Sequence, residues 1–138
     1  MNDVLIADND RAVSGLLTEI LVRAGLSPVH AFDGNTAAIM ARQPGLRVVV
    51  CDLDMPGASG LDVLESLRDL PQPPPAVVVS GYLDADVRKR LGKLPFVREV
   101  FSKPFDLLLF AERVRQLAAE AGGSPRASVA DGAQSPAD

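Results

Sequence analysis

The chain has a single cysteine, Cys51, and this scarcity excludes an internal disulfide. It also has no apolar run that approaches the roughly 20 residues needed to span a bilayer, and no charged-then-apolar signal segment at its start. Basic residues are outnumbered, with 14 Lys and Arg against 18 Asp and Glu. The resulting negative field disfavours general binding to nucleic acid or anionic membranes. These features predict a cytoplasmic protein with no membrane segment.

Short apolar runs alternate with amphipathic segments along the 138 residues, which is the length of one ordinary domain. The runs are VLIA at 4–7, PVHAF at 28–32, VVVC at 48–51, AVVVS at 76–80 and VFS at 100–102. The two valine-rich runs do not alternate with polar residues, which is typical of strands covered by helices on both faces. The pattern therefore predicts an α/β domain of (βα)₅ type with a doubly wound parallel sheet.

The intervening segments have helical start and stop signals. The first has an apolar stripe that includes Val13, Leu17 and Ile20, and Gly25 ends it. The predicted N-caps of the second to fifth helices are Asp33, Ser59, either Asp84 or Asp86, and Asp106. Gly122 is the predicted end of the fifth helix. Beyond Ala121 the sequence is rich in Gly, Ser, Pro and Ala, so we expect a folded domain over 1–121 and a disordered tail over 122–138.

Polar residues follow four of the five predicted strands. They are Asp8-Asn9-Asp10, Asp52-Leu53-Asp54, Ser80-Gly81 and Lys103-Pro104. The carboxyl ends of parallel strands meet at one edge of the sheet, where two carboxylates would repel unless a cation neutralised them. Oxygen ligands with room for water suit Mg²⁺. A lysine and a hydroxyl at the same edge suit a phosphoryl group, for which an aspartate can act as nucleophile.

The strings VLIADND, VVVCDLDMPGASG, AVVVSGY and VFSKPF, in this order over residues 3 to 119, resemble the CheY-like receiver domains of bacterial response regulators. The resemblance implies a flavodoxin-like sheet with strand order 2-1-3-4-5. It also implies two-component signal transduction, in which a sensor histidine kinase or phosphotransfer protein donates a phosphoryl group in a Mg²⁺-dependent reaction. Such a domain is no enzyme beyond its own phosphotransfer and autodephosphorylation.

The resemblance also assigns roles to individual residues. Asp52 is the implied phosphoacceptor, and the implied Mg²⁺ ligands are Asp8, Asn9, Asp52 and the backbone carbonyl of Asp54. Ser80 and Lys103 are the implied phosphoryl-binding residues, and a cis peptide bond is implied before Pro104. For Ser80, the alternative is a strand-end serine that bonds only to the local backbone.

Two positions depart from the family pattern. Asn9 stands where a second carboxylate is usual, which predicts weaker Mg²⁺ binding than in a typical member. Val100 stands where an aromatic side chain often swings inward, and its neighbour Phe101 should point to the opposite face of the strand. Tyr82, two residues beyond Ser80, is the candidate to flank and cover the site instead.

The implied output surface is formed by the fourth helix, fifth strand and fifth helix, which an unknown downstream protein would contact. No DNA-binding domain is recognisable in the sequence, and a homodimer through the final helices remains an alternative. One competing hypothesis is a pseudo-receiver that binds proteins without phosphorylation, which Asn9 and Val100 favour slightly. Another is a haloacid-dehalogenase-like phosphohydrolase, because VVVCDLD fits an Asp-x-Asp nucleophile and acid.

Overall fold

A computed structural model describes residues 2–123 of the chain and has five strands and five α-helices in alternation. The strands are β1 (Val4–Ala7), β2 (Pro28–Ala31), β3 (Val48–Asp52), β4 (Ala76–Ser80) and β5 (Val97–Ser102). The helices are α1 (Arg11–Arg23), α2 (Gly34–Met40), α3 (Gly60–Ser66), α4 (Ala85–Gly92) and α5 (Leu107–Gly123), with a 3₁₀ turn at Leu67–Asp69 after α3. The predicted tail lies outside the described residues, except that 122 and 123 belong to α5.

All strands are parallel, and the sheet order is β2-β1-β3-β4-β5. Both the doubly wound fold and the strand order implied by the family resemblance are confirmed. With β1 and β3 adjacent at the centre, the ends of β1, β3, β4 and β5 lie side by side along one edge of the sheet. The polar residues that follow these four strands therefore lie in neighbouring positions.

Each face of the sheet has its own apolar core, because successive side chains of a strand point to opposite faces. Val4, Ile6 and Val50 pack on one face with residues of α1 and α5, whereas Leu5 and Val49 pack on the other with residues of α2, α3 and α4. The central strands β1, β3 and β4 are buried throughout. Because helices cover both faces of the sheet, the side chains on both faces of these strands are apolar, and their sequences have no regular polar alternation.

The predicted helix caps are confirmed, with one alternative resolved. The side chains of Asp33, Ser59 and Asp84 accept hydrogen bonds from backbone N–H groups of α2, α3 and α4, so Asp84 and not Asp86 caps α4. Asp106 does the same for α5, accepting from the N–H groups of the second and third helical residues. Gly25 follows α1 with φ of +91°, a conformation that glycine adopts readily.

The sequence-based boundaries were wrong by three residues at β5 and by one residue at the ends of β2, β3 and α5. β5 begins at Val97 instead of 100, and a register irregularity beside Ala76 and Val77 accommodates its first residues. This strand is at the edge of the sheet, and the charged pair Arg98 and Glu99 interrupts its apolar residues. α5 continues through Gly123, one residue beyond the predicted stop at Gly122.

Candidate functional site

Three neighbouring strands end in the same local turn, in which a polar side chain accepts a hydrogen bond from the backbone N–H two residues later. The bonds are Asp10 N to Asp8 Oδ1 (2.9 Å), Asp54 N to Asp52 Oδ1 (3.0 Å) and Tyr82 N to Ser80 Oγ (3.1 Å). These turns fix the three side chains at the edge of the sheet. The sequence analysis missed the three N–H donors, although the repeated spacings D-N-D, D-L-D and S-G-Y after the strands could have revealed them.

Lys103, from the end of β5, reaches across to the two buried aspartates. Its Nζ donates a hydrogen bond to Asp52 Oδ2 at 3.0 Å and lies 3.6 Å from Asp8 Oδ2. Asp8 and Asp52 are only 1% and 5% exposed, respectively. The peptide bond between Lys103 and Pro104 is cis. The structure thus brings together Asp8, Asp52 and Lys103, which the sequence had placed in separate motifs.

The charge balance of this cluster is negative, with two carboxylates for one ammonium group. Burial raises the pKa of Asp8, and the nearby charge of Asp52 acts in the same direction, against the hydrogen bond from Asp10 N–H. Burial acts to lower the pKa of Lys103, but its hydrogen bond with Asp52 and the charges of both aspartates outweigh burial and raise that pKa. The lysine is therefore charged at neutral pH, and ionising Asp8 in the folded protein costs stability.

Replacing Asp8 with asparagine should stabilise the fold at pH 7 in metal-free buffer, because it removes a buried charge. A carboxyl whose pKa is raised in the folded state costs stability when it ionises, and this cost disappears as the pH falls through that pKa. The gain should therefore narrow on acidification and vanish below the ordinary aspartate pKa of 3.8. Urea denaturation of Asp8→Asn and wild type across pH 3 to 7 measures this difference.

Asp33→Asn is the matched control, because hydrogen bonds from the backbone and side chain of Thr36 lower the pKa of the half-buried Asp33. Its substitution should have the opposite sign, with a loss of stability at pH 7 that shrinks as the pH falls. An Asp8→Asn protein that is less stable than wild type at pH 7, or whose gain is constant with pH, would contradict the buried-charge account.

One oxygen of this cluster has no hydrogen-bond partner in the described structure. Asp8 Oδ2 is buried, and its nearest cation is Lys103 at 3.6 Å. An unpaired buried carboxylate oxygen beside a second carboxylate suits a hard cation such as Mg²⁺. Within residues 2–123 no group of three or more His, Cys, Asp or Glu side chains could hold a metal ion. The remaining ligands would have to be amide or carbonyl oxygens, or water.

The other predicted metal ligands are at the same sheet edge. Asn9 is the middle residue of the turn after β1, Asp54 is the last residue of the turn after β3, and both are exposed. Asp10 cannot readily replace a missing carboxylate, because its Oδ1 accepts hydrogen bonds from the backbone N–H groups of Ala12 and Val13 as the N-cap of α1.

The hydroxyl of Ser80 is bonded to local backbone in this structure. Besides accepting from Tyr82 N, Ser80 Oγ donates to the Tyr82 carbonyl at 2.9 Å. The Tyr82 side chain is 76% exposed, so it lies largely in solvent and does not cover the site here.

Val100 packs with the core on the α4 side and Phe101 with the opposite core, which confirms their predicted opposite orientation. Phe101 forms an aromatic cluster with Phe105 and Phe110.

Cys51 precedes Asp52 and is completely buried in the core. Burial, together with the charges of Asp52 and Asp8, raises its pKa to about 12. The thiol is therefore protonated at neutral pH and inaccessible, so Cys51 acts as a small residue of the core.

Two curated proteins to which the chain is similar are both transcriptional regulatory proteins. The chain is 28% identical over 117 residues to the transcriptional regulatory protein CpxR of Escherichia coli, a match that covers 85% of this chain and 49% of CpxR. It is also 28% identical over 111 residues to the uncharacterised transcriptional regulatory protein YcbL of Bacillus subtilis, covering 80% of this chain and 48% of YcbL. The chain therefore spans about half the length of these curated relatives.

Solved structures share the fold. A CheY-like response regulator receiver domain from Methanospirillum hungatei superposes with a TM-score of 0.80 at 18% identity, over 89% of this chain and 98% of that one. The response regulator TrrA of Thermotoga maritima, solved with Mg²⁺-BeF, has a TM-score of 0.70 at 25% identity, over 85% of this chain and 99% of TrrA. The family model for the response regulator receiver domain matches residues 4–115. The chain therefore belongs to the response regulator receiver family, the signalling domains of two-component systems.

Proposed function

We propose that Asp52 accepts a phosphoryl group and that the resulting change in surface is recognised by a partner protein. The observation that carries this proposal is the contact between Lys103 Nζ and Asp52 Oδ2 at the bottom of a site with a second buried carboxylate. The donor would be a sensor histidine kinase or a phosphotransfer protein. Apart from this phosphotransfer and its own dephosphorylation, we expect no enzymatic turnover.

The proposed step is a displacement at phosphorus. An Asp52 carboxylate oxygen forms the new bond to phosphorus, while the bond between phosphorus and the donor nitrogen breaks and its electron pair stays on that nitrogen. Lys103 now pairs with Oδ2 of the free carboxylate, and its ammonium group can pass to a phosphoryl oxygen without leaving the site. The Asp54 N–H keeps Oδ1 in place during this exchange.

Mg²⁺ is the cofactor that the site fits, and TrrA, solved with Mg²⁺-BeF, supports this assignment. Asp8, Asp52, Asn9 and the backbone carbonyl of Asp54 would hold the ion. When bound, Mg²⁺ supplies the positive charge that screens the carboxylates and the transferring oxygens. The unpaired Asp8 Oδ2 supports this role, because a cation there would compensate the burial of its charge.

Replacing Asn9 with aspartate should tighten Mg²⁺ binding, because it restores a negative ligand beside Asp8. Residue 9 is exposed, so water screens the attraction between the new carboxylate and Mg²⁺. We expect the affinity for Mg²⁺ to rise about tenfold. Isothermal calorimetry with Mg²⁺ measures the change. Gln43→Glu, which adds the same charge in the exposed turn after α2, is the control. Equal affinities for Asn9→Asp and Gln43→Glu would mean that residue 9 is not a ligand.

The output would be a protein contact on the surface formed by α4, β5 and α5. Arg88, Lys89 and Lys93 are exposed there, and none of them forms an ion pair within residues 2–123. An acidic region on the partner would complement them.

No DNA-binding domain is found in the described residues, and none of the described helices is long and apolar enough to cross a membrane. We place the domain in the cytoplasm, and a homodimer through the same surface is an alternative.

Beryllofluoride, a mimic of the phosphoryl group, tests the proposal against the pseudo-receiver alternative. With Mg²⁺ present, we expect a bound ¹⁹F resonance and a rise in the unfolding temperature, because a ligand that binds only the folded state stabilises it. Magnesium fluoride without beryllium is the control. Absence of both signals at saturating beryllofluoride would favour the pseudo-receiver, the alternative that Asn9 and Val100 support.

A further inference from the structure

The end of β2 brings no polar side chain to the site, yet it contacts the chain that follows β1. The Ala31 carbonyl accepts a hydrogen bond from the Asp8 N–H at 3.1 Å. Next to it, the ring of Phe32 lies under the guanidinium group of Arg11, with 4.0 Å between the guanidinium carbon and the ring centroid. Phe32 is half-buried and Arg11 is exposed, so this cation–π contact fastens the start of α1 to the end of β2.

Gly34, the first residue of α2, contacts the loop between β3 and α3, residues 53–59. Its N–H donates to the Pro56 carbonyl at 3.1 Å, and a Cβ atom at position 34 would lie 1.7 Å from the carbonyl oxygen of Ala58. Both contacts are with backbone atoms, so the start of α2 lies directly against the main chain of this loop. Position 34 requires glycine, because any other side chain would push the loop away.

These contacts connect the two segments that carry the proposed metal ligands. One segment holds Asp8 and Asn9 and continues into α1; the other holds Asp52 and the Asp54 carbonyl and continues into α3. Residues 31–34 contact both segments. Mg²⁺ requires a nearly ideal octahedron with ligands at about 2.0–2.1 Å, whereas Ca²⁺ accepts roughly six to eight ligands in a flexible arrangement. The binding of Mg²⁺ therefore depends on how the two segments are placed relative to each other.

We propose that residues 31–34 form a brace between the two ligand-bearing segments, in which Phe32 and Gly34 are positioning residues for Mg²⁺. Neither residue has a side-chain atom that could serve as a ligand, so both act through the segments that they contact. The inference rests on the proposed metal role of Asp8 and Asp52. It predicts that a change in the brace alters the selectivity between Mg²⁺ and Ca²⁺, because a displaced segment disturbs an octahedron more than a flexible shell.

Gly34→Ala tests the contact with the loop. The amide resonances of Asp8, Asp52 and Asp54 are followed by NMR during titration with Mg²⁺ and with Ca²⁺, and these signals come from folded protein only. We expect the Mg²⁺ affinity to fall about tenfold or more, as for other residues that orient metal ligands, and the Ca²⁺ affinity to fall less. Val114→Ala, which removes apolar contacts from the core on the opposite face of the sheet, is the control for lost stability and should keep both affinities.

Phe32→Leu tests the contact with α1, and it provides a second substitution if Gly34→Ala does not fold. Leucine keeps an apolar side chain but has no aromatic face for Arg11, whose charge is unchanged. Phe32→Tyr keeps that face. We expect Phe32→Leu to lower the ratio of Mg²⁺ to Ca²⁺ affinity, and Phe32→Tyr to retain the ratio of wild type.

Several results would overturn the brace while leaving the metal site in place. One is a wild-type ratio of Mg²⁺ to Ca²⁺ affinity in folded Gly34→Ala or in Phe32→Leu. Others are an equal loss of both affinities, a loss of the same size in Val114→Ala, or a Phe32→Tyr protein that behaves as Phe32→Leu does, since each would mean a cause other than the proposed contacts. If no amide resonance of wild type responds to Mg²⁺, the proposed metal role fails and the brace fails with it.

Discussion

Replacing Gly60 with alanine is expected to lower the free energy of unfolding by about 3 kcal/mol or more. A Cβ atom at this position would lie 2.0 Å from the carbonyl oxygen of Asp52 and 2.6 Å from the Cα of Leu53. Both are backbone atoms, so no side-chain rotation can relieve the overlap. Relief requires the start of α3 to move away from the end of β3, which is the segment that presents the Asp52 carboxylate.

Urea denaturation measures this effect, and the chain offers a matched control in Gly15. That glycine is exposed inside α1, where a Cβ atom would meet no heavy atom within 4 Å. Gly15→Ala should therefore stabilise the protein by about 1 kcal/mol through helix propensity alone. The same chemical change thus has opposite signs at the two positions. A Gly60→Ala protein as stable as Gly15→Ala would show that the close approach of α3 to β3 is not as described.

Replacing Asp52 with asparagine is expected to abolish phosphoryl uptake while leaving the fold intact. Asparagine keeps an oxygen that can accept the hydrogen bond from Asp54 N–H, but its neutral amide cannot attack phosphorus and cannot hold Lys103 through charge. Incubation with acetyl phosphate and Mg²⁺ should leave the intact mass of the variant unchanged. We expect the circular dichroism spectrum of the variant to match that of wild type. A beryllofluoride titration of the variant should give no bound ¹⁹F resonance.

Asp54→Asn is the control for this substitution. Asp54 contributes its N–H to the turn and, in our proposal, its carbonyl to the metal, and both groups belong to the backbone. The Asp54→Asn protein should therefore still take up a phosphoryl group. Steady hydrolysis of a phosphomonoester that depends on the Asp54 side chain would instead support the phosphohydrolase alternative. Phosphoryl uptake by the Asp52→Asn protein at the wild-type level would mean that another residue is the acceptor.

The fold could be predicted from sequence wherever local and tertiary constraints agree. β3 and β4 are buried on both faces, so their valine runs were unambiguous, and Asp33 and Asp106 could be recognised as caps because capping depends on nearby backbone groups. β5 was harder. Two of the first three residues of this edge strand, Arg98 and Glu99, are charged, and the register irregularity beside Ala76 has no sequence signature.

The sequence could predict which residues form the candidate site but not which of their atoms are in contact. The strand ends identified Asp8, Asp52 and Lys103 as neighbours, since parallel strands share one carboxyl edge. That Lys103 contacts both carboxylates, or that Asp8 Oδ2 lacks a hydrogen bond, depends on distances of a few ångströms between segments far apart in sequence. The bond between the Ser80 hydroxyl and the Tyr82 carbonyl likewise requires coordinates, because a strand-end serine has several local acceptors within reach.

Mapping the phosphoryl group tests the central claim most directly. Wild-type protein is treated with acetyl phosphate and Mg²⁺, and the acyl phosphate is trapped with hydroxylamine and located by peptide mass spectrometry. We predict one modified residue per chain, at Asp52, and none when Mg²⁺ is removed by EDTA. Modification at a different residue, or no modification at saturating donor and Mg²⁺, would contradict the assignment of Asp52 as the phosphoacceptor.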